Sequence, residues 1–140
     1  MRYFGVDYGS KRIGLAVCDE LEISAGPLAQ IQGSGAGNVM ADALAVAKVA
    51  EEYQVDEYVV GLPYNMDGSV GGQGQLCQEF AEMLAQATGK KVHMFDERLS
   101  SEAAEAKLLA AGLTKKKRQA RTDMLAAAII LQSFLDAKDV

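Results

Sequence analysis

Acidic residues stand at four positions where a strand or a helix is predicted to begin or end. Asp7 follows the apolar run Tyr3–Val6, and Asp123 opens the last helix. Asp96 and Glu97 close the segment "KVHMFDE". A carboxylate at the end of a buried element must be hydrogen-bonded, paired with a cation or bound to a metal, because its charge is costly to desolvate. These acids are therefore the first candidates for chemistry.

Asp123 is the most informative of the four because its helix has a clear apolar stripe. At helical spacing it aligns with residues that must face a sheet, namely Ala126, Ala127, Ile130, Leu131 and Phe134. Carboxylates that gather at the rim of a sheet would repel one another unless a divalent cation lay between them, and Mg²⁺ prefers oxygen ligands of this kind. Metal sites of this type cleave phosphodiesters by orienting water and stabilising the leaving oxygen.

Each acid also has a purely local explanation. Asp7 could cap a turn, and Asp123 could lie in the first turn of its helix, where the helix dipole favours negative charge. Glu97 could form a surface ion pair with Arg98. Strand alternation places Asp96 and Glu97 on opposite faces, so only one of the two is expected to join a shared site.

The elements that would position these acids follow from the apolar pattern. Three short strands separated by turns come first, and Pro27 in the third predicts an edge position. Apolar residues recur at helical spacing from Val39, with Asp42 among the polar residues between them. Strands and helices then alternate in the segments "DEYVVGLP", "LCQEFAEMLAQATG", "KVHMFDERL", "SSEAAEAKLLAAG" and "TDMLAAAIILQSFLDAKD". The order βββ-α-β-α-β-α-α predicts an α/β fold, in which an antiparallel meander continues into parallel strands to give a mixed sheet flanked by helices.

Length and charge restrict the kind of function. The 140 residues suit a single domain spanning the whole chain, 1–140. The net charge is −5, so any surface for nucleic acid must be a local patch. The basic residues that could bind phosphate lie in the turn after Asp7, beside Glu97 and just before Asp123: Lys11, Arg12, Arg98, Lys115, Lys116, Lys117, Arg118 and Arg121. The run from Lys115 to Arg121 could equally be a solvated loop.

The loop "PYNMDGS" follows the carboxyl end of a predicted parallel strand, where α/β proteins place their ligands. Asn65 and Asp67 in this loop could contact a substrate. They could equally form the turn itself, since Asn, Asp and Gly favour turns for local reasons.

Several features predict a cytoplasmic protein without membrane association. The N-terminus has no long apolar segment of the kind found in signal peptides. No apolar run reaches the length of a membrane span. The two cysteines, Cys18 and Cys77, lack the spacing of a metal or redox motif and are expected to be free thiols.

Four segments together resemble the YqgF family, which is also called Holliday-junction-resolvase-like. They are "DYGSKRIGLAV", "VVGLPYNMDGS", "FDERLSS" and "RTDMLAAAIIL", and the resemblance runs from about Arg2 to about Leu135. It implies an RNase H-like fold with a mixed five-stranded sheet in the order βββ-α-β-α-β-α. It also implies a nuclease that depends on Mg²⁺ or Mn²⁺, with Asp7, Glu97 and Asp123 as the catalytic and metal-binding residues. The family motif favours Glu97 over Asp96.

The resemblance favours one substrate and leaves others open. Processing of the 5′ end of the 16S rRNA precursor is the function that it implies first. A Holliday junction resolvase acting on branched DNA is an alternative, as is a non-catalytic nucleic-acid-binding factor of ribosome assembly. The segment "DYGSKRIGLA" also resembles the first phosphate loop of actin-like and Hsp70-like ATPases, but no second domain of that kind is evident in the sequence. The oligomeric state, monomer or homodimer, stays open.

Overall fold

The computed structural model describes residues 1–9, 11–22, 24–34, 38–99, 106, 108 and 122–138, and the side chains of 122–124 lie outside that description. The described strands form one sheet of five members. Their bounds are β1 (Tyr3–Tyr8), β2 (Arg12–Cys18), β3 (Ala25–Gln32), β4 (Glu57–Leu62) and β5 (Val92–Asp96).

The sheet is mixed, with the spatial order β3-β2-β1-β4-β5. β1 pairs antiparallel with β2, and β2 pairs antiparallel with β3. β4 pairs parallel with β1 on one side and with β5 on the other. Pro27 lies in the edge strand β3, next to an irregularity in the register opposite Leu15 and Ala16. This is a position where the missing N–H of proline disrupts little.

Three long helices cover the sheet within the described residues: α1 (Val39–Glu51), α2 (Gly72–Thr88) and α3 (Thr122–Lys138). α1 and α2 pack on one face, where Val46 and Phe80 join Phe4 and Val6 in a core. α3 packs on the other face, where Leu131 joins Val59 in a second core. The predicted α/β class and mixed five-stranded sheet are therefore confirmed.

The element boundaries differ from the prediction in two places that matter for the site. α2 begins at Gly72, four residues before the predicted start at Leu76. β5 ends at Asp96, and Glu97–Leu99 form a short 3-10 turn where the sequence predicted a continuing strand. Gly89 ends α2 in the left-handed conformation, at φ 69°, as predicted for a glycine cap.

The described helices include none with the length and hydropathy of a membrane span. The predicted helix "SSEAAEAKLLAAG" lies almost entirely outside the described residues. Leu108, which is described, is buried in the core beneath α3.

Candidate active site

A cleft of about 340 Å³ opens between α3 and the carboxyl ends of β1 and β5. Its lining residues are Asp7, Glu97, Ala126, Ile129 and Ile130. Strand alternation explains why Asp7 faces it, and the 3-10 turn that follows β5 brings Glu97 to it. Asp7 lies two residues after Gly5, which contacts α3, and Glu97 lies two residues after Phe95, which is buried in the core beneath α3.

The environment of Glu97 makes its charge costly in the chain without metal. Burial is the main cause that raises the pKa of its carboxyl above the ordinary value, and the neighbouring Asp96 carboxylate adds to the effect. The negative charges of the two cleft acids also affect the pKa of the Cys77 thiol. Burial, followed by the charges of Glu97 and Asp7, raises the pKa of Cys77 to about 12. Negative charge is therefore concentrated here, as expected where a cation binds.

Asp96 is not among the residues that line the cleft, and it pairs with Arg98. The Arg98 guanidinium donates from Nε and Nη2 to the Asp96 carboxylate at 2.8–3.1 Å, and it lies 4.6 Å from the centre of the Tyr64 ring. Hydrogen bonds from Arg98 lower the pKa of the Asp96 carboxyl. Within the described residues, the ion pair of Arg98 is thus with Asp96, whereas the sequence suggested one with Glu97.

Asn65 and Asp67 build the turn in which they stand. The Asn65 N–H donates to the Ser69 carbonyl at 2.8 Å, and the Asn65 carbonyl accepts from Gly68. The Asp67 carboxylate accepts from the Ser69 hydroxyl at 2.5 Å and from the Ser69 N–H at 2.9 Å, and these bonds, the hydroxyl's first, lower the pKa of Asp67. These hydrogen bonds explain why Asn65 and Asp67 stand in the turn. A role for them in substrate binding stays a prediction.

The predicted basic residues are only partly within the described structure. Lys11 and Arg12 are exposed and line a groove of about 630 Å³ with the end of β3. They follow Asp7 through the turn between β1 and β2, so they lie at the same end of the sheet as the cleft. Lys115, Lys116, Lys117, Arg118 and Arg121 lie outside the described residues. Asp123 belongs to α3, but its side chain is outside the description.

The acids that the structure describes at the cleft suit a divalent cation. Both supply carboxylate oxygen, the donor that Mg²⁺ and Mn²⁺ prefer, and each is half-buried. Within the described residues, no three His, Cys, Asp or Glu side chains are grouped closely enough to hold a metal ion. Asp7 and Glu97 are therefore a pair, and a third acid would have to come from beyond the described side chains.

One feature of the site, and one on the opposite face of the sheet, were not apparent in the sequence. The first is Gly61 on β4, which lies directly beneath the Glu97 side chain. The second is Asp42, predicted on the polar side of α1 but only 3% exposed. Its carboxylate accepts from the Tyr8 hydroxyl and from the Ser34 N–H, which explains how a charge is tolerated there. For Gly61 the sequence did carry a signal, because a glycine in the interior of a strand often marks a place where another group approaches closely.

Comparison with known sequences identifies relatives over almost the full length. The sequence model of the family described as RuvX, Holliday junction resolvase, matches residues 1–137. A curated relative from Bacillus thuringiensis (strain Al Hakam), named "Putative pre-16S rRNA nuclease", is 42% identical over 139 residues. That alignment covers 99% of this chain and 100% of the relative.

Comparison with solved structures confirms the predicted RNase H-like fold. RuvC from Thermus thermophilus in complex with Holliday junction substrate superposes with a TM-score of 0.66 at 19% identity, covering 99% of this chain and 96% of that chain. The fowlpox virus Holliday junction resolvase gives a TM-score of 0.56 at 16% identity and covers 99% of both chains. At these identities the likeness concerns the fold alone.

Proposed function

The chain belongs to the RuvX family of Holliday junction resolvases, and from this premise we propose that it is a divalent-metal-dependent endonuclease. This is the family that its four motifs predicted under the name YqgF. We propose structured nucleic acid as its substrate, with the 5′ end of pre-16S rRNA first. The name carried by relatives at 42% identity favours this substrate. The observation that carries the proposal is the cleft that Asp7 and Glu97 share beneath α3.

Asp7 and Glu97 would hold Mg²⁺ or Mn²⁺ through their carboxylate oxygens. The chemistry expected of such ions is polarisation of the attacking water and stabilisation of the leaving oxygen. Asp123 is the proposed third acid. It precedes Ala126 by three residues and Ile130 by seven, spacings at which residues share one side of a helix, and both of those residues line the cleft.

The remaining lining residues make one side of the cleft apolar. Ala126, Ile129 and Ile130 present apolar side chains opposite the acids. An apolar wall excludes water from one side of the reacting phosphate and strengthens each electrostatic contact made there. The chain therefore supplies both charge and partial dehydration at the same place.

Lys11, Arg12 and Arg98 are the proposed phosphate contacts among the described residues. Lys11 and Arg12 are exposed at the end of the sheet that carries the cleft. The Lys115–Arg121 run is proposed to extend this surface, because it immediately precedes Asp123 in the chain. The free thiols Cys18 and Cys77 support a cytoplasmic location.

The test is cleavage of labelled RNA and DNA by variants that remove one negative charge each. The wild-type chain is expected to cut an RNA spanning the 5′ end of 16S rRNA when Mg²⁺ or Mn²⁺ is added, and not when the metal is chelated. Asp7→Asn and Glu97→Gln are expected to lose cleavage and keep RNA binding. Glu82→Gln, an exposed acid-to-amide change on α2, is the matched control and is expected to cleave normally.

Two other functions would give different results in the same experiment. A resolvase would cut a four-way DNA junction faster than the RNA, and would require two active sites and hence a homodimer, measurable by sedimentation. A non-catalytic assembly factor would bind the RNA with equal affinity in wild type and Asp7→Asn, with no metal-dependent product from either.

A further inference from the structure

Gly61 on β4 lies between the strand that carries Asp7 and the strand that leads into Glu97. β4 is flanked by β1 on one side and by β5 on the other. Val60 pairs with Val6, so the next residues along these strands are Gly61 and Asp7. On the other side Gly61 pairs with Phe95, two residues before Glu97.

The spacing of the strands means that the residue at position 61 decides whether the Asp7 and Glu97 carboxylates can approach one another. Neighbouring strands are about 4.8 Å apart, so β1 and β5 are separated by roughly twice that distance. Carboxylates from these two strands can approach one another only above β4, on the face toward α3. Val59 lies on that face, and strand alternation puts position 61 on it as well.

The Glu97 side chain occupies the space that a side chain at position 61 would need. A Cβ atom placed on Gly61 would lie 2.7 Å from Glu97 Oε1 and 3.1 Å from Glu97 Cγ. It would also lie 2.6 Å from Ile130 Cδ1, at the wall of the cleft. All of these distances are shorter than normal carbon contacts, so at least one group would have to move.

We propose that Gly61 is a positioning residue of the active site, because its lack of a side chain lets Glu97 extend across β4 into the cleft that it shares with Asp7. The inference rests on the proposed metal-dependent nuclease. It assigns a role to a residue that has no functional group of its own. Gly61 acts only through the placement of Glu97.

A purely structural explanation is that Gly61 merely allows α3 to pack closely. The contact with Ile130 Cδ1 supports that alternative, and a simple Gly61→Ala variant would not separate the two. Ile130→Val does separate them, because valine has no Cδ1 atom. In Gly61→Ala/Ile130→Val the contact with α3 is relieved, and the nearest group to the new methyl is the flexible end of Glu97.

The experiment compares this double variant with Ile130→Val alone. Thermal unfolding is measured first, and the double variant is expected to have nearly the same midpoint as Ile130→Val, whereas Gly61→Ala alone is expected to unfold at a lower temperature. Mn²⁺ affinity is then measured directly by calorimetry on the purified chains. A displaced Glu97 is expected to weaken Mn²⁺ binding by about 10- to 100-fold, and kcat for the RNA by a similar factor with KM nearly unchanged.

The outcomes separate this inference from the function on which it rests. A double variant with the Mn²⁺ affinity and kcat of Ile130→Val would overturn the positioning role while leaving the nuclease intact. A wild-type chain that binds no Mn²⁺ and cleaves nothing would overturn the proposed function and, with it, this inference.

Discussion

Glu97 links the stability of the metal-free chain to pH. Its pKa in the folded chain lies above the ordinary value of 4.5, because of burial and the nearby Asp96. A carboxyl of this kind binds more protons in the folded state, so the free energy of unfolding falls as pH rises from the ordinary pKa through the raised one. At neutral pH, which lies above the ordinary pKa, Glu97 therefore contributes less to stability than it does at low pH.

Glu97→Gln is accordingly expected to raise the unfolding temperature of the metal-free chain at neutral pH. The difference should shrink to nothing as pH falls below the ordinary pKa, where the wild-type carboxyl is protonated in both states. Saturating Mn²⁺ should reverse the order, because only the wild type gains binding energy. The measurement is thermal unfolding across pH with chelator or Mn²⁺. A glutamine variant less stable than wild type at neutral pH without metal would contradict it.

Arg98 and Asp96 should affect nucleic-acid affinity in opposite directions. Arg98 is exposed enough to meet a phosphate, and the Asp96 carboxylate offsets part of its charge. Arg98→Ala is expected to weaken RNA binding and to reduce the slope of log affinity against log salt by about one. Asp96→Asn is expected to strengthen binding. Filter binding or fluorescence anisotropy over a salt series measures both. Equal weakening by the two variants would indicate that Asp96 serves to orient Arg98.

At the scale of the element, α3 depends on a second glycine for its approach to the sheet. A Cβ atom on Gly5 would lie 2.8 Å from Leu131 Cβ and 2.9 Å from the Ala127 carbonyl oxygen. Both atoms belong to the rigid part of the helix, so the whole of α3 would have to shift. Overpacking of this kind costs about 1–3 kcal/mol.

Gly5→Ala is therefore expected to lower the free energy of unfolding by about 1–3 kcal/mol in urea denaturation. Gly26→Ala is the matched control, because a Cβ at Gly26 meets nothing within 4 Å. The control is expected to stay within about 0.5 kcal/mol of wild type. Similar losses at both positions would mean that α3 is not held against the strand as closely as the structure indicates.

The elements were predictable from sequence where their pattern was local. The apolar runs of β1, β2 and β4 and the glycine cap of α2 were correct for that reason. The first turn of α2 was missed because "GGQGQ" favours a loop by propensity. Packing decides otherwise, since Gly74 lies so close to Val70 and Pro63 that a side chain would clash, and Gln73 donates to the Tyr8 carbonyl at 2.8 Å.

The candidate site was predictable in its residue types and only partly in its geometry. Alternation along a continuing strand was expected to separate Asp96 from Glu97. Asp96 pairs with Arg98 and Glu97 lines the cleft, although Glu97 lies in the 3-10 turn that follows β5. The space above Gly61 and the burial of Asp42 depend on residues that are distant in the chain, so no local sequence pattern predicts them. The roles of Asp7, Glu97 and Asp123 stay predictions.

For the whole molecule, nucleic acid must bind against an unfavourable average charge. The net charge of −5 means that affinity depends on the few cations near the cleft. Binding is therefore expected to weaken steeply with salt, since each phosphate contact releases condensed counterions.

Lys11→Ala/Arg12→Ala is expected to reduce the salt slope by about two, because two exposed cations are removed at the cleft end of the sheet. Lys48→Ala/Lys91→Ala changes the total charge equally. Lys48 is on α1, on the opposite face of the sheet, and Lys91 precedes β5 at its other end. This control should leave the slope near that of wild type. Equal effects would show that total charge, and not its location, governs binding.

The separation of the two helical layers gives this protein a convenient attachment point for probes. Met40 and Leu44 on α1 are 41% and 53% exposed, and the sheet lies between α1 and the cleft. A fluorophore joined to a cysteine introduced at either position would be separated by the sheet from the acids of the cleft. Single-molecule trajectories could then follow arrival and departure of substrate without the dye occupying the cleft.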